Sequence, residues 1–548
     1  MLSDLDHRFP ADTLLRDAHA EMGSGLPVAP RTRSLLRFIT CGSVDDGKST
    51  LIGRLLYDSA VLPEDQLAVL RKESARSTHA SGEIDYSLLL DGLAAEREQG
   101  ITIDVAYRYF STGRRAFIVA DTPGHVQYTR NMATGASTAD LAVLLVDARK
   151  GVLEQTRRHL RIVAMLGVRH VVLAVNKMDL VGYSLQRFRE IESAFTELAR
   201  DGGFASLISV PISAKHGENV RMRSAAMPWY SGPVLLEVLE SVETSSSAAG
   251  LSARMPVQWV ARAPDFRGFA GTLASGRLRP GDAVRVLPSG SAARVARIVS
   301  YDGDLAEATE GQAPTVVLDR EVDVSRGDVI AADDGTTLSG RRWQTDLLWL
   351  SSAPYDPGRP LLLKLGTRTV PVRLSSEGMT VLDINTGVCR AAEALVANDI
   401  ASLSFTTDLA IVAERYADSR ALGGLILIDR ETSETVALGL IRDRLPDPEA
   451  KAASNGSTAM SWIARPVDKH WRSLAKAISW RATGSLDTFV LAFLFTGHAK
   501  VAAAISLTEV ATKIVLYFVH ERVWQRIPIG REDMAPEAAF NGSPKDGR

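Results

Sequence analysis

One stretch decides the fold of this chain: Leu36-Arg37-Phe38-Ile39-Thr40-Cys41-Gly42-Ser43-Val44-Asp45-Asp46-Gly47-Lys48-Ser49-Thr50. Its opening apolar run is typical of a buried strand. The residues that follow place four apolar side chains on one face of a helix: Leu51, Ile52, Leu55 and Leu56. The connection between strand and helix has the spacing Gly-four residues-Gly-Lys-Ser, which predicts a phosphate-binding P-loop.

The residue types of this loop suit phosphate chemistry. Gly42 and Gly47 allow backbone N–H groups to turn inward around phosphate oxygens, and the helix N-terminus adds its partial positive charge. Lys48 is expected to reach the β and γ oxygens, and Ser49 to ligate Mg²⁺. Taken alone, the same residues also fit a glycine-rich turn, so the nucleotide interpretation depends on the rest of the chain.

Further buried strands are predicted at Ala116 to Ala120, Leu141 to Val146, Val171 to Val175 and Leu207 to Ile212. Helical patterns separate them, which indicates an α/β domain with a parallel sheet covered by helices on both faces. Three polar motifs directly follow predicted strands: Asp121-Thr122-Pro123-Gly124-His125, Asn176-Lys177-Met178-Asp179 and Ser213-Ala214-Lys215.

These motifs complete a nucleotide site. Asp121 is expected to hold the Mg²⁺ shell through water, and the Gly124 amide to meet the γ-phosphate. The Asp179 carboxylate can accept two hydrogen bonds from guanine, which adenine does not offer, and Ser213-Ala214-Lys215 can support the base with a backbone N–H. Each motif singly fits a surface turn. All of them in order, each after a predicted strand, predict a GTP site.

A switch segment is predicted between the P-loop and Asp121, at Glu96-Arg97-Glu98-Gln99-Gly100-Ile101-Thr102-Ile103-Asp104. Thr102 is placed to complete the Mg²⁺ shell and to sense the γ-phosphate, as a switch I threonine does. The alternative is a polar helix end that leads into a strand.

Composition restricts the class of protein. The 548 residues predict roughly three to four domains. A formal net charge of -2 leaves no basic excess for nonspecific nucleic-acid binding, and no nucleic-acid partner is expected. Two distant cysteines, Cys41 and Cys389, exclude a disulfide framework and a cysteine-based zinc site. The first 34 residues hold no apolar signal region, so we expect a cytoplasmic protein.

Changes of sequence texture suggest the domain boundaries. We predict a polar N-terminal arm at 1–34 and the P-loop GTPase domain at 35–243. Short β-rich segments separated by Pro-Gly and Ser-Gly turns then predict two small β-barrels at 254–340 and 345–441. A linker at 442–460, a two-helix segment at 461–531 and a polar tail at 532–548 complete the chain.

At these motifs the chain resembles the translation-factor class of GTPases, the relatives of elongation factor Tu. Within that class it looks like the GTPase subunit of bacterial sulfate adenylyltransferase, over roughly residues 35–441. The segments that carry this narrower resemblance are Gly42 to Thr50, Met227 to Pro233, Asp265 to Thr272, Leu287 to Gly290 and Asp323 to Asp328.

The resemblance implies a function. It implies that GTP hydrolysis is coupled to formation of adenylyl sulfate and pyrophosphate from ATP and sulfate. The adenylyl transfer would belong to a small ATP-binding partner subunit, in a heterodimer or larger complex. It also implies that His125 orients the attacking water, with Lys48 and Thr102 as the other catalytic residues and Ser49, Thr102 and Asp121 at the metal.

The chain departs from this family in two respects. Relatives often carry an adenylyl-sulfate kinase domain with its own P-loop, but no second such motif occurs here, so kinase activity is not predicted. Thr432-Ser433-Glu434-Thr435 stands where the family often has an asparagine-containing turn. Two other functions stay open: a translation GTPase that handles tRNA, and a non-hydrolysing, nucleotide-gated scaffold at a membrane.

The C-terminal region departs from a soluble pattern. Val501 to Val519 is long enough to span a bilayer, and Ala482 to Thr496 is a shorter apolar run joined to it by Gly497-His498-Ala499-Lys500. Basic residues flank this predicted hairpin on both sides, which places both ends at the cytoplasmic face. Asp487, Glu509 and Lys513 are costly in lipid and favour a soluble hairpin. The segment resembles small two-helix membrane domains, so we predict membrane contact through residues 482–519.

Overall fold

The computed structural model of the protein describes residues 34–59, 64–74, 84–90, 102–243, 251–264 and 266–447. The chain divides into two compact units, Met1–Asn455 and Gly456–Arg548, and all described residues belong to the first. The predicted N-terminal arm up to residue 33, most of the predicted switch segment and the predicted C-terminal hairpin lie outside the described residues.

A six-stranded sheet forms the centre of the first domain, in the order β2-β3-β1-β4-β5-β6. Its strands are β1 (Ser34–Cys41), β2 (Ala106–Ser111), β3 (Arg115–Asp121), β4 (Leu141–Asp147), β5 (His170–Asn176) and β6 (Ser206–Pro211). β2 is antiparallel to β3, and the other neighbours are parallel. Every residue of β4 is buried, as a central strand covered on both faces requires. The predicted α/β class is confirmed.

Within the described residues, six α-helices accompany this sheet: α1 (Lys48–Asp58), α2 (Glu64–Ser74), α3 (Thr129–Ser137), α4 (Glu154–Met165), α5 (Leu185–Ala199) and α6 (Leu235–Ser241). Two separate apolar clusters pack on the two faces of the sheet. Because parallel strands end at one edge, Cys41, Asp121 and Asn176 bring their following loops together there. This edge positions all the predicted motifs.

The second domain is a β-sheet curved around its own apolar core. Its strands are β7 (Arg254–Pro256), β8 (Trp259–Ala263), β9 (Phe266–Ala270), β10 (Arg277–Leu278), β11 (Ala283–Leu287), β12 (Ser291–Ser300), β13 (Gly303–Asp304), β14 (Ala308–Thr309), β15 (Thr315–Leu318) and β16 (Val329–Ala332). The main sheet runs β7-β16-β11-β12-β15-β9-β8. Its end strands β7 and β8 are consecutive in the chain. The Val257 N–H donates to Asp328 O at one end of the sheet, and the Gln258 N–H donates to Ala270 O at the other. One bent segment therefore closes this barrel.

The third domain contains a closed six-stranded barrel, because β17 pairs with both β24 and β22. Its elements are β17 (Ser339–Trp349), β18 (Leu361–Leu365), β19 (Arg368–Leu374), β20 (Thr380–Leu382), β21 (Cys389–Ala391), β22 (Ile400–Val412), α7 (Arg420–Gly423), β23 (Gly424–Asp429) and β24 (Thr435–Arg444). The predicted β-barrels after the GTPase-type domain are confirmed as a fold class. The exact domain boundaries stay predictions.

The third domain contacts the first through arginines. Arg420 donates to the carbonyl oxygens of Ala139 and Gly167 at 3.0 and 2.8 Å. Arg130, on α3, donates to Glu434 Oε1 at 2.8 Å. Glu434 lies in the unusual Thr432–Thr435 turn, where Ser433 has a φ of 60°, in the left-handed region that asparagine and glycine favour. This turn therefore presents a carboxylate to the helix that follows His125.

Candidate functional site

The P-loop is folded around the Lys48 ammonium. Lys48 Nζ donates to the carbonyl oxygens of Gly42 and Ser43 at 3.2 and 3.0 Å. Gly47 has a φ of 90°, and a Cβ there would lie 2.4 Å from Asn176 Nδ2, so only glycine fits. Burial lowers the pKa of Lys48, and Asp121 and Asp46 oppose this effect. The loop thus holds a buried cation against two of its own carbonyl oxygens, and this lysine is the P-loop residue that reaches phosphate oxygens.

Three side-chain oxygens from separate segments converge beside this lysine. Ser49 Oγ donates to Asp121 Oδ2 at 3.3 Å and lies 3.5 Å from Thr102 Oγ1. Hydroxyl and carboxylate oxygens are ligands that Mg²⁺ prefers. The structure therefore brings together the three predicted metal residues, and their chemistry fits Mg²⁺.

A cavity of about 320 Å³ opens over the P-loop. His125 lies in its wall, and the Gln127 N–H donates to His125 Nδ1 at 3.3 Å, so the proton of the neutral ring is on Nε2. Gly124 packs tightly, because a Cβ there would lie 2.6 Å from Lys48 Nζ. The lining residues are Val44, Asp45, Gly47, Lys48, Ser49, Thr50, Ser87, Thr102, Gly124, His125 and Lys177.

The residues of the predicted base site lie close together beyond the ends of β5 and β6. Ser213 Oγ donates to Asp179 Oδ1 at 2.6 Å, and His216 Nε2 lies 3.9 Å from Asp179 Oδ2. The amides of Ser213 and Ala214 donate to Glu218 O and Asn176 Oδ1. Support of the base by a backbone N–H of Ser213-Ala214-Lys215 therefore stays a prediction.

Asn176 and Lys177 tie this base site to the P-loop. Asn176 Nδ2 donates to Asp46 O at 2.8 Å, and Lys177 Nζ donates to Asp45 O. The phosphate and base motifs are therefore joined by direct hydrogen bonds.

Some predicted motif residues do not face the cavity. Thr122 is fully buried, and its Oγ donates to Thr40 O at 2.7 Å. Met178 is fully buried in the core, and Pro123 is buried beside Gly124. The Asp46 carboxylate turns back to accept the Ser43 N–H at 2.6 Å, and burial raises its pKa to about 6. These residues stabilise the conformation of the loops by packing and hydrogen bonding on the side away from the cavity.

Sequence reasoning missed two polar residues of the site. His159 on α4 is buried, and its Nδ1 accepts the Gly42 N–H at 3.1 Å. Asp147, at the end of β4, pairs with Lys177 Nζ at 3.2 Å and with Arg149. Although burial raises the pKa of Asp147, hydrogen bonds from Arg149 and Lys177 hold it below its usual range. The position of Asp147 after a predicted strand was a usable signal, but His159 had none.

The His159 contact predicts a pH dependence of stability. Burial, helped by Lys48, lowers the pKa of His159 to about 3. Below about pH 6.5 the unfolded chain binds a proton that the folded state excludes, so this histidine removes stability as the pH falls towards 3. Asp46, with its raised pKa, works in the opposite direction between about pH 6 and pH 4.

His159→Gln keeps an acceptor for the Gly42 N–H but does not titrate. We expect acidification from about pH 7 to about pH 5 to destabilise the original protein by about 2 kcal/mol more than this variant. Thermal unfolding of both proteins across this range measures the difference. Parallel pH profiles would contradict the assignment of a neutral, buried His159.

Three family matches fall along the chain. Residues 33–247 match the elongation factor Tu GTP binding domain, and residues 342–442 match the GTP-eEF1A C-terminal domain-like family. Residues 474–525, outside the described residues, match a family described as predicted membrane protein (DUF2061). The expected GTP-binding domain with GTP and Mg²⁺ as its nucleotide and cofactor is therefore confirmed.

Curated relatives are similar over most of the chain. Sulfate adenylyltransferase subunit 1 of Methylorubrum extorquens is 50% identical over 79% of this chain and 92% of its own length. The protein of the same name from Saccharophagus degradans is 48% identical over 80% and 94%. The bifunctional enzyme CysN/CysC of Xylella fastidiosa is 55% identical over 75% of this chain and 66% of its own length. The chain therefore belongs to the sulfate adenylyltransferase subunit 1 family, with a GTP-binding domain of the elongation factor Tu type.

Proposed function

We propose that this chain hydrolyses GTP in the cavity over its P-loop, and that hydrolysis drives adenylyl transfer from ATP to sulfate on a separate small subunit. The observation that carries the proposal is the convergence of Ser49, Thr102 and Asp121 beside Lys48, in a chain of this family. Asp179, with its Ser213 partner, supports guanine as the base.

Each residue has a role that its position supports. The Lys48 ammonium and the P-loop amides neutralise charge on the phosphates, which is the main contribution that a protein makes to phosphoryl transfer. Ser49 and Thr102, with Asp121 through water, would hold Mg²⁺, which would neutralise further charge on the phosphate oxygens. His125 is a positioning group for the attacking water, because its Nδ1 is engaged by the Gln127 amide and its Nε2 carries the proton.

The two reactions differ in the sign of their free-energy change. GTP and water give GDP and phosphate, which is strongly favourable. ATP and sulfate give adenylyl sulfate and pyrophosphate, which is unfavourable because the mixed anhydride is high in energy. Because the family resemblance assigns this second reaction to another subunit, we propose a complex with a small ATP-binding partner.

Pyrophosphate release tests the coupling. The chain and a candidate small subunit are mixed with ATP and sulfate, with GTP, without it, or with a non-hydrolysable GTP analogue. We expect a higher yield of pyrophosphate and adenylyl sulfate in the mixture with GTP than in the mixture without GTP or the mixture with the analogue. Equal yields in the three mixtures would contradict the coupling, and co-purification of aminoacyl-tRNA would favour a translation GTPase.

We further propose that the C-terminal segment attaches the chain to the cytoplasmic face of a membrane. The match of residues 474–525 to a predicted membrane family and the apolar run 501–519 support this proposal. No helix within the described part of the chain is long and apolar enough to cross a bilayer.

Truncation after Asp447 is expected to release the protein from membranes. The full-length chain should sediment with membranes at high speed, whereas the truncated chain, which keeps every described residue, should stay in the supernatant. GTP hydrolysis by both proteins serves as the control for folding. Full-length protein in the supernatant without detergent would contradict membrane attachment.

A further inference from the structure

We propose that Arg54 is a positioning residue that couples the guanine-binding loop to the segment leading into switch I. The inference rests on the proposed GTP site and concerns a side chain with no predicted role in it. Arg54 lies on α1, the helix that begins at the P-loop. Its side chain is 21% exposed, so most of the guanidinium is enclosed by protein.

Two groups fix one side of this guanidinium. Arg54 Nε donates to Asp58 Oδ2 at 3.0 Å, one helical turn further along α1. Arg54 Nη1 donates to Tyr86 Oη at 3.2 Å, and the guanidinium carbon lies 5.1 Å from the centre of the Tyr86 ring. A charge-assisted hydrogen bond and a cation–π contact thus act on the same tyrosine.

The guanidinium also contacts the base loop, which begins at Ser213-Ala214-Lys215. Arg54 Nη1 also lies 3.5 Å from Lys215 O, the carbonyl at the end of Ser213-Ala214-Lys215. Gly217 has a φ of 76°, and a Cβ there would lie 2.5 Å from Arg54 Nη2. The loop therefore passes directly against the guanidinium, and a single nitrogen contacts both the loop and Tyr86.

Tyr86 is connected to the wall of the nucleotide cavity. It begins a 3-10 helix, Tyr86–Leu89, which is capped where Asp85 Oδ1 accepts the Ser87 N–H at 3.1 Å. Ser87 lines the cavity over the P-loop. The segment packs closely on α1, because a Cβ at Gly53 would lie 2.0 Å from Tyr86 O.

These contacts form one path from the base loop through Arg54 to Ser87. Guanine that binds Asp179 orders the loop, and an ordered loop fixes the guanidinium through Lys215 O. Since the same guanidinium holds Tyr86, nucleotide binding stabilises the segment 84–90 through Arg54, in addition to any direct contact at Ser87. Coupling of this kind is an effect on local order, which amide exchange measures.

The test uses GDP as the probe and the full-length chain. In the original protein, GDP should slow amide hydrogen exchange both in the P-loop, residues 42–49, and in the segment 84–90. In Arg54→Ala, we expect the P-loop to keep its protection, while the slowing at 84–90 falls by about tenfold, the equivalent of one charge-assisted hydrogen bond. Tyr86→Phe removes only the hydroxyl and should lose part of the protection.

Arg200→Ala is the matched control, since Arg200 pairs with nearby Glu197 at the end of α5. It should behave as the original protein does. Unchanged protection at 84–90 in both Arg54→Ala and Tyr86→Phe would overturn the inference, and Tyr86→Phe decides alone if Arg54→Ala does not fold. Absence of any P-loop protection by GDP in the original protein would instead overturn the proposed GTP site.

Discussion

His125→Ala is expected to lower the rate of GTP hydrolysis by a factor of about 10²–10⁴ while GTP binding changes little. His125 lies in the cavity wall, but its Nδ1 accepts the Gln127 N–H, and no hydrogen bond joins it to the P-loop in the described residues. Removing the His125 ring should therefore take away the group proposed to position the attacking water, while the P-loop that binds the phosphates stays intact. Single-turnover phosphate release measures the rate, and a fluorescent guanine nucleotide measures binding.

His170→Ala provides the matched control for this variant. His170 begins β5, at the end of the sheet opposite the nucleotide loops, and its Nδ1 lies 2.8 Å from Ser206 Oγ. This variant should hydrolyse GTP at the original rate. GTP-driven formation of adenylyl sulfate should fall in proportion to hydrolysis in His125→Ala. Unchanged hydrolysis in His125→Ala would remove this residue from the mechanism.

Asp179→Asn should exchange the base preference of the site from guanine to xanthine. In the proposed site the Asp179 carboxylate accepts two hydrogen bonds from guanine. An amide in its place would set its own N–H donors against the guanine donors, which should weaken GTP binding by at least about a hundredfold. Xanthosine triphosphate presents an acceptor at the same edge and should bind instead. Ser213 Oγ, now 2.6 Å from Asp179 Oδ1, can still donate to the asparagine oxygen, so the loop should keep its position.

Asp201→Asn controls for the loss of a carboxylate, because Asp201 is an exposed residue just beyond α5. It should bind GTP as the original protein does. Competition between GTP and xanthosine triphosphate for a fluorescent nucleotide gives both affinities in one assay. Asp179→Asn that keeps its GTP affinity within a few-fold would show that the base site lies elsewhere.

The features that could be predicted from the sequence are those whose functional residues are close together in the chain or directly follow a recognisable strand. Gly42 to Ser49 is one continuous stretch of sequence, and Asp121, Asn176 and Ser213 each stand at or just beyond the end of a strand whose apolar run is visible in the sequence. Because parallel strands end at one edge, their convergence followed from the α/β pattern alone. The structure places Ser49, Thr102 and Asp121 together as this reasoning expects.

The features that escaped prediction depend on distant contacts. His159 contacts Gly42 across 117 positions of sequence, and the direction of its ring is set by the packing of α4. Arg130 meets Glu434 across 304 positions, through a turn whose sequence gave no indication of its neighbour. Thr122 and Met178 lie within recognised motifs, but which side chains of a short loop face inward depends on the tertiary structure.

The hydrogen bonds of Asn176 hold the P-loop and the base loop at a fixed separation. Its amide nitrogen donates to Asp46 O in the P-loop at 2.8 Å, and its amide oxygen accepts the Ala214 N–H of the base loop at 2.9 Å. A single side chain thus links the P-loop, where the phosphates would bind, to the base loop, where the guanine would bind. The spacing between base and phosphates in GTP is limited by covalent geometry. A side chain that already holds the P-loop and the base loop together reduces the ordering that nucleotide binding would otherwise require. Asn176→Ala should therefore weaken both ends of the site together.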